Sequence, residues 1–151
     1  MQQSLEITRS TRKVLAGFLD EYSVDQLNEI PHGFSNNLIW NIAHIVVVQQ
    51  MLVYKLSGLR MIVSDEMVEK YKRGTRPDGI VSPDEIAEIR SLLFSTVEKA
   101  ESDAASGIFE NYQQFTSMSG FTIKSAADAM AFNNFHEGTH LGIMMSIRRF
   151  L

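Results

Sequence analysis

Apolar residues recur every three or four positions along most of the chain, the spacing of residues that share one face of an α-helix. These runs predict four long helices, over residues 4–22, 35–57, 82–105 and 125–150. The run "LIWNIAHIVVVQQM" is apolar on more than one face, so the second helix is expected to be deeply buried. No convincing pair of strands is present. The pattern therefore predicts an all-α fold, a four-helix bundle.

The second helix has recognisable start and stop signals. Ser35 or Asn36 can serve as its N-cap, and Gly58 can end it. The connection that follows, over residues 59–81, is long enough to cross the bundle and contains the minor helical segment "DEMVEKYKR". Strict up-down-up-down order of the helices is therefore not required.

The later helices also begin at clear signals. In "SPDE", Ser82 can cap the third helix and Glu85 can complete a capping box. The first helix is predicted to place Val14, Leu15 and Phe18 on one apolar face. A short extended piece is predicted around "FTI", shortly before the fourth helix.

Composition and charge fit a globular protein without a nucleic-acid partner. The chain has 151 residues, of which 44% are hydrophobic and 21% charged, and we expect one domain over residues 1–151. The net charge of −4 argues against a general nucleic-acid binder. One basic cluster interrupts this acidic balance and is interpreted as a solvated helix end. Its members are Lys70, Lys72, Arg73 and Arg76.

The ends and apolar runs of the chain give no sign of a membrane partner. The N-terminal stretch "MQQSLEITRSTRK" lacks the apolar segment of a signal peptide. The longest apolar region is interrupted by Asn41, His44 and a glutamine pair, so it is too polar for a membrane span. We expect a cytoplasmic protein.

The predicted C-terminal helix contains "HEGTH", in which His136, Glu137 and His140 match the pattern H-E-x-x-H. Both histidines share one helical face, and zinc metalloproteases use this pattern. Those enzymes take a third ligand from downstream, but only 11 residues follow His140 and none is His, Asp or Glu. The protease interpretation is therefore disfavoured. Glu137 is interpreted as an exposed or interhelical carboxylate rather than a general base.

A metal site on this helix needs a third ligand from upstream, since catalytic zinc is held by three protein ligands. There is no cysteine, so the ligand candidates are His32 and His44. His32 lies in the loop "IPHGF" and is interpreted as an exposed turn residue, whereas His44 lies on an apolar helical face. We therefore predict a site formed by His44, His136 and His140. The alternative without a metal stays open, and it leaves three inward histidines in need of other partners.

Three asparagines accompany these histidines. Asn37 and Asn41 lie on the His44 side of the second helix, and Asn133 lies one turn before His136. Groups in such positions can line a pocket or fix the imidazole rings from behind. They can equally be polar residues near one end of the bundle, and both interpretations stay open.

The segments "NNLIWNIAHI", "FHEGTHLG" and the terminal "IRRFL" together resemble the DinB superfamily, the DinB/YfiT-like bundle proteins. The resemblance extends over nearly the whole chain. It implies a four-helix bundle of up-down-down-up order, with a long crossover between helices two and three. It also implies one divalent metal ion, most often zinc or nickel, with His44, His136 and His140 as ligands. Relatives use low-molecular-weight thiols such as bacillithiol or mycothiol as cosubstrates, and many form homodimers.

Two classes of function are compatible with these expectations. In the first, the protein is a divalent-metal-dependent enzyme that acts on a small molecule. A thiol-dependent transferase is then favoured over a hydrolase. In the second, it is a stress-associated or ligand-binding bundle whose metal site is structural or vestigial. A catalytic site keeps an open position, whereas a structural site is closed by a fourth protein ligand. The sequence offers no obvious fourth ligand, which favours the enzyme.

Overall fold

The computed structural model describes residues 1–151, and helices make up most of the chain. The four long helices are α1 (Gln2–Glu21), α3 (Leu38–Val53), α5 (Pro83–Ala105) and α6 (Ala126–Ile147). Two short helices, α2 (Val24–Asn28) and α4 (Asp65–Tyr71), lie between them. The strands β1 (Phe115–Thr116) and β2 (Thr122–Ile123) form one antiparallel hairpin. The all-α prediction is confirmed, and the predicted extended piece "FTI" contributes the second strand.

The four long helices form the predicted bundle. Helix α1 packs against α5 and α6, and α3 packs against the same two helices. Helices α1 and α3 therefore occupy opposite corners of the bundle. The chain leaves α3 and crosses to α5 through a long connection in which α4 packs against α3. This connection is the predicted crossover, and we refer to residues 59–81 as the crossover.

Helix α3 is the central element of the core. Of its 16 residues, only Val48 and Met51 are not buried. The expectation that this region is too polar for a membrane span is wrong by length and composition, because the window Leu38–Ser57 is long and apolar enough, but 83% of it is buried inside the protein. The apolar character of this segment is therefore that of a core helix, as the sequence pattern predicted.

The start of α3 differs from the prediction. Asn37, rather than Ser35 or Asn36, is the N-cap, because its side-chain oxygen accepts a hydrogen bond from the backbone N–H of Trp40 at 2.9 Å. At the other end a short 3-10 turn follows the helix, and Gly58 closes it with a φ of 70°, a left-handed conformation that favours glycine. Gly58 thus ends this segment as predicted.

At the start of α5 the predicted N-cap is confirmed, but the predicted capping box is not. Ser82 caps the helix and accepts a hydrogen bond from the backbone N–H of Glu85 at 3.2 Å. The predicted capping box is wrong, because the Glu85 carboxylate turns toward α4 instead. It accepts hydrogen bonds from the Tyr71 hydroxyl at 2.6 Å and from the Lys70 ammonium at 2.8 Å. These bonds tie the end of α4 to the start of α5.

The inward face of α1 is also different from the prediction. Leu15 and Phe18 are buried as predicted, whereas 48% of Val14 is exposed. Toward the start of the helix the buried face continues through Leu5, Thr8 and Arg12, at intervals of three and four residues. A fully buried arginine therefore occupies a core position of the first helix.

Candidate metal centre

Three histidines from two helices converge at one point of the bundle. His44 comes from α3, and His136 and His140 come from α6. One ring nitrogen of each lies within 4.8 Å of the others. Zinc–imidazole bonds of about 2.0–2.1 Å hold two ligating nitrogens no more than about 4 Å apart, so side-chain shifts of about 1 Å suffice to close the group on one ion. We call these three residues the histidine cluster.

The His44 ring is fixed on two sides. Its Nδ1 atom lies 2.6 Å from the backbone carbonyl oxygen of Tyr71, at the end of α4. The indole ring of Trp40, one helical turn away, stacks on it with centroids 4.6 Å apart and planes 13° apart. A carbonyl oxygen only accepts, so Nδ1 carries the proton and Nε2 keeps its lone pair. His44 therefore offers Nε2 as a ligand atom.

The His140 ring is fixed in the same way by a side chain of α3. Its Nδ1 atom lies 2.7 Å from the side-chain oxygen of Asn41. The amide nitrogen of Asn41 donates to the carbonyl oxygen of Asn37 at 2.6 Å and to the side chain of Asn36 at 3.0 Å, which orients the amide. Asn41 thus presents an acceptor to His140, and His140 also offers Nε2. A hydrogen bond at the non-ligating nitrogen is the usual arrangement behind a metal-bound histidine.

His136 differs from the other two members of the cluster. Its Nδ1 atom is buried and has no hydrogen-bond partner in the protein. A buried polar atom without a partner is uncommon, because the loss of its contacts with water is then not compensated. The residues present fit a divalent ion, because each of the three histidines offers one ring nitrogen within 4.8 Å of the others.

All three imidazoles are held in the neutral form that binds metals. Burial lowers the pKa of His44, against the opposing effect of its bond to the Tyr71 carbonyl. Burial, together with the nearby His140, His44 and Arg12, lowers the pKa of His136 to about 3. Burial and the nearby His44 lower the pKa of His140 to about 4. At neutral pH each of the three imidazoles is therefore neutral and keeps one nitrogen lone pair for a metal ion.

The cluster opens into a cavity of about 660 Å³, which we call the histidine cleft. Its walls are mainly apolar and include Trp40, Val48, Met51, Phe115, Phe132 and Phe135. No carboxylate lines it, so no fourth protein ligand of that type closes the site. A second cavity of about 1110 Å³, between the crossover and α5, contains no histidine. The candidate centre is thus an open three-histidine site at the base of an apolar cleft.

The glutamate of the "HEGTH" sequence faces away from this cleft. Glu137 is fully buried and accepts three hydrogen bonds from Arg12, at 2.8 and 3.0 Å on Oε1 and at 3.1 Å on Oε2. Arg12 also donates to the backbone carbonyl of Leu93 in α5, at 3.4 Å. Glu137 is therefore an interhelical carboxylate that joins α6 to α1. The expectation that it could instead be exposed is wrong, because its two oxygens are needed by a buried guanidinium.

The other residues singled out in the sequence lie outside the cluster. Asn37 caps α3, and its amide donates to the backbone carbonyl of Asn28 at 2.8 Å. Asn133 donates to the Glu137 carboxylate at 2.7 Å and forms no hydrogen bond with a histidine. His32 is exposed in the loop before α3. Asn41 is thus the one asparagine of the three that bonds to a histidine.

Several residues that shape the site were not singled out in the sequence. The burial of Arg12 could have been predicted from its spacing, because it lies on the same helical face as Leu5 and Leu15. Tyr71 acts through its backbone, which no side-chain pattern can indicate. Arg73 lines the histidine cleft, although it was interpreted as part of a solvated basic cluster.

The fold and the cluster together define a helical-bundle protein with a candidate three-histidine metal centre. The sequence model of the DinB superfamily matches residues 7–144. The chain belongs to the DinB superfamily, as its motifs indicated. No curated protein matched the chain.

Proposed function

We propose that this protein is a divalent-metal-dependent enzyme that acts on small molecules in the histidine cleft, and that it is a thiol-dependent transferase. The open side of the cluster carries this proposal. Three neutral imidazoles face a cleft of about 660 Å³, and no carboxylate lines that cleft. Cavities of roughly 300–1,000 Å³ are typical of small-molecule sites.

The three histidines have a clear division of roles in this proposal. His44 and His140 hold their Nδ1 protons against the Tyr71 carbonyl oxygen and the Asn41 side-chain oxygen, so Nε2 is the atom with which each would bind an ion. His136 supplies the third nitrogen. A divalent ion at an open site of this kind acts as a Lewis acid and lowers the pKa of a thiol or water that it binds.

The walls of the cleft favour transfer between two bound molecules over hydrolysis. Trp40, Phe132 and Phe135 present apolar surface beside the cluster. Such walls hold apolar groups and limit the number of water molecules near the reacting atoms. The chain has no cysteine, so the thiol has to come from a cosubstrate. These features together support a thiol-dependent transferase.

The protein offers no carboxylate base in the cleft. Glu137 is the nearest carboxylate in sequence to the cluster, and both of its oxygens are bonded to Arg12. The three histidines are the only side chains among the lining residues that could act as a base near neutral pH, since the Arg73 guanidinium stays protonated. The proton of the thiol therefore leaves through the open side of the cleft to water.

The proposal is tested with protein purified without an affinity tag. Its metal content is measured by elemental analysis, and the metal-free protein is reloaded with zinc or nickel. A panel of low-molecular-weight thiols and electrophiles is then screened for consumption of both partners. We expect consumption that depends on the added ion, that disappears in His44→Ala and that persists in His32→Ala.

Two outcomes contradict different parts of the proposal. Stoichiometric metal binding without consumption of any thiol–electrophile pair contradicts the transferase and favours a non-catalytic binding bundle. Ion-dependent turnover without a thiol contradicts the cosubstrate and favours a hydrolase.

A further inference from the structure

The mouth of the histidine cleft is formed by exposed apolar side chains. Among its lining residues, Met118 is 83% exposed, Phe135 is 63% exposed and Phe115 is 40% exposed. The ring of Phe132 lies near two exposed rings. Its centroid is 5.8 Å from that of Phe135 and 6.0 Å from that of Phe121, in the β1–β2 hairpin. A cluster of exposed apolar groups around a cavity is a common mark of a ligand site.

One permanent charge is present among these apolar groups. Arg73 is the only lysine or arginine that lines the histidine cleft, and no aspartate or glutamate lines it. Its guanidinium reaches from the crossover to the sulfur atom of Met118 on the β1–β2 hairpin, across the mouth of the cleft. The cleft is therefore locally basic in a protein whose net charge is −4.

Arg73 also differs from the basic residues beside it. Lys70 pairs with Glu85 at 2.8 Å, and Lys72 pairs with Glu69 at 2.5 Å. Arg73 forms no ion pair with any carboxylate of the protein. Apart from the contact of one guanidinium nitrogen with the Met118 sulfur, the donors of Arg73 have no hydrogen-bond partner in the protein and are available for an anion at the mouth of the cleft.

The backbone around Arg73 is held in place. The Thr75 hydroxyl contacts the backbone carbonyl oxygens of Lys70 and Lys72 at 2.8 and 2.9 Å. Gly74 adopts a φ of 93°, which completes the turn. The same segment supplies the Tyr71 carbonyl that fixes His44. The crossover therefore places one cation at a defined position relative to the cluster.

We infer that the substrate of the histidine cleft is an amphipathic acid: its apolar body packs against the aromatic walls, and its carboxylate or other oxyanion pairs with Arg73. A guanidinium binds such a group through two parallel hydrogen bonds, which gives both attraction and orientation. This inference rests on the proposed function, in that the cleft is taken as the small-molecule site. It adds the chemical class of the substrate.

The test compares two probes that differ only in charge, phenylbutyrate and phenylbutyramide. Their binding to metal-free protein is measured by calorimetry and by the fluorescence of Trp40, the only tryptophan of the chain. Working without metal ensures that any preference for the acid comes from the protein and not from an ion. We expect the acid to bind at least about tenfold more tightly than the amide, since a hydrogen bond to a charged group is worth that much.

Variants of Arg73 test whether its guanidinium causes the preference for the acid over the amide. Arg73→Gln should abolish the preference for the acid and leave amide binding unchanged, and Arg73→Lys should keep part of the preference. The matched control is Arg76→Gln, an exposed arginine of the same connection that does not line the cleft. It should bind both probes as the wild type does.

The apolar half of the inference has its own pair of variants. Phe135→Ala should weaken the binding of both probes by the same factor. Phe150→Ala removes a ring that is also 63% exposed but lies outside the cleft, and it should have no effect. If Phe135→Ala weakens the binding of the acid and the binding of the amide by different factors, Phe135 does not simply contact the apolar part that the two probes share.

The outcomes separate this inference from the proposed function. Equal binding of acid and amide, a preference that survives Arg73→Gln, or no binding of either probe at millimolar concentration overturns the inference. Metal binding by the histidine cluster is titrated independently. If the ion binds and turnover is found while the acid has no advantage, the inference fails and the proposed function stands. If no ion binds, the proposed function fails, whatever the probes do.

Discussion

The Nδ1 atom of His44 and the carbonyl oxygen of Tyr71 lie 2.6 Å apart, which connects the central helix to the end of α4. The Tyr71 hydroxyl in turn donates to Glu85 at 2.6 Å, at the start of α5. The orientation of one candidate ligand thus depends on a connecting segment rather than on the bundle alone. The crossover is therefore part of the site as well as a link between helices.

The first prediction concerns the ligands. His44→Ala should lower zinc or nickel affinity by at least about 100-fold, more than the loss of a group that only supports a ligand. Affinity is measured by competition with a chromogenic chelator. His32→Ala removes the fourth histidine of the chain, which is exposed, and should leave affinity unchanged. Equal affinity in His44→Ala and wild type contradicts the three-histidine site.

The second prediction separates two asparagines of α3 that lie one turn apart. Asn41→Ala removes the acceptor behind His140 and should lower metal affinity by about 10–100-fold. Asn37→Ala removes the N-cap of α3 and should lower the free energy of unfolding by about 1 kcal/mol. Chelator competition and urea unfolding are measured on both variants. If Asn37→Ala weakens metal binding as much as Asn41→Ala, the assignment of these roles is wrong.

The third prediction concerns the buried ion pair. Glu137→Gln leaves the fully buried Arg12 without a counter-charge and should reduce the free energy of unfolding by about 3–5 kcal/mol. The double variant Arg12→Met with Glu137→Leu removes both charges and should regain most of this loss. Urea unfolding of the single and double variants gives the comparison. A double variant less stable than Glu137→Gln contradicts the interpretation.

The fourth prediction uses the same double variant to test whether Glu137 takes part in chemistry. With a fold intact by circular dichroism, it should keep metal affinity and ion-dependent turnover within a few-fold of wild type, because Glu137 does not line the histidine cleft. A folded, metal-loaded variant that has lost turnover would assign Glu137 a catalytic part.

The fifth prediction concerns the pH dependence of stability in the metal-free protein. The folded pKa values of His136 and His140, about 3 and about 4, lie below the ordinary value of 6.5. Between these values the unfolded chain binds protons that the folded protein does not, so the free energy of unfolding falls as pH falls from about 6.5 toward 4. His136→Gln should make this decline shallower in urea unfolding with a chelator present. The slopes of the wild type and of this variant are compared, and equal slopes contradict the prediction.

The helices and the three converging histidines could be predicted because both depend on regular spacing. Residues 136 and 140 share a face of any α-helix, and His44 lies on an apolar face of the only other helix with a buried histidine. Spacing also predicted the crossover, since "SPDE" and Gly58 mark its ends. The exact start of α3 was predicted wrongly, at Ser35 or Asn36, because both are as good a cap by residue type as the actual N-cap, Asn37.

Contacts between distant segments could not be predicted from one sequence. Glu85 was expected to cap its own helix, but it bonds to Tyr71 and Lys70, 14 and 15 residues away. The same holds for Arg73, whose position at the mouth of the cleft depends on how the crossover folds over α3. A single sequence gives local preferences, and these partners are chosen by packing.

The buried pair of Arg12 and Glu137 bears on how short sequence signatures should be used. Five letters, "HEGTH", belong equally to a zinc protease and to this bundle, and the difference between them is decided by a residue 125 positions upstream. In one setting the glutamate activates a nucleophile; here it neutralises a guanidinium and cannot do both. A signature of this kind gains its meaning only when it is paired with the side chain that stands opposite it, which in this chain is Arg12.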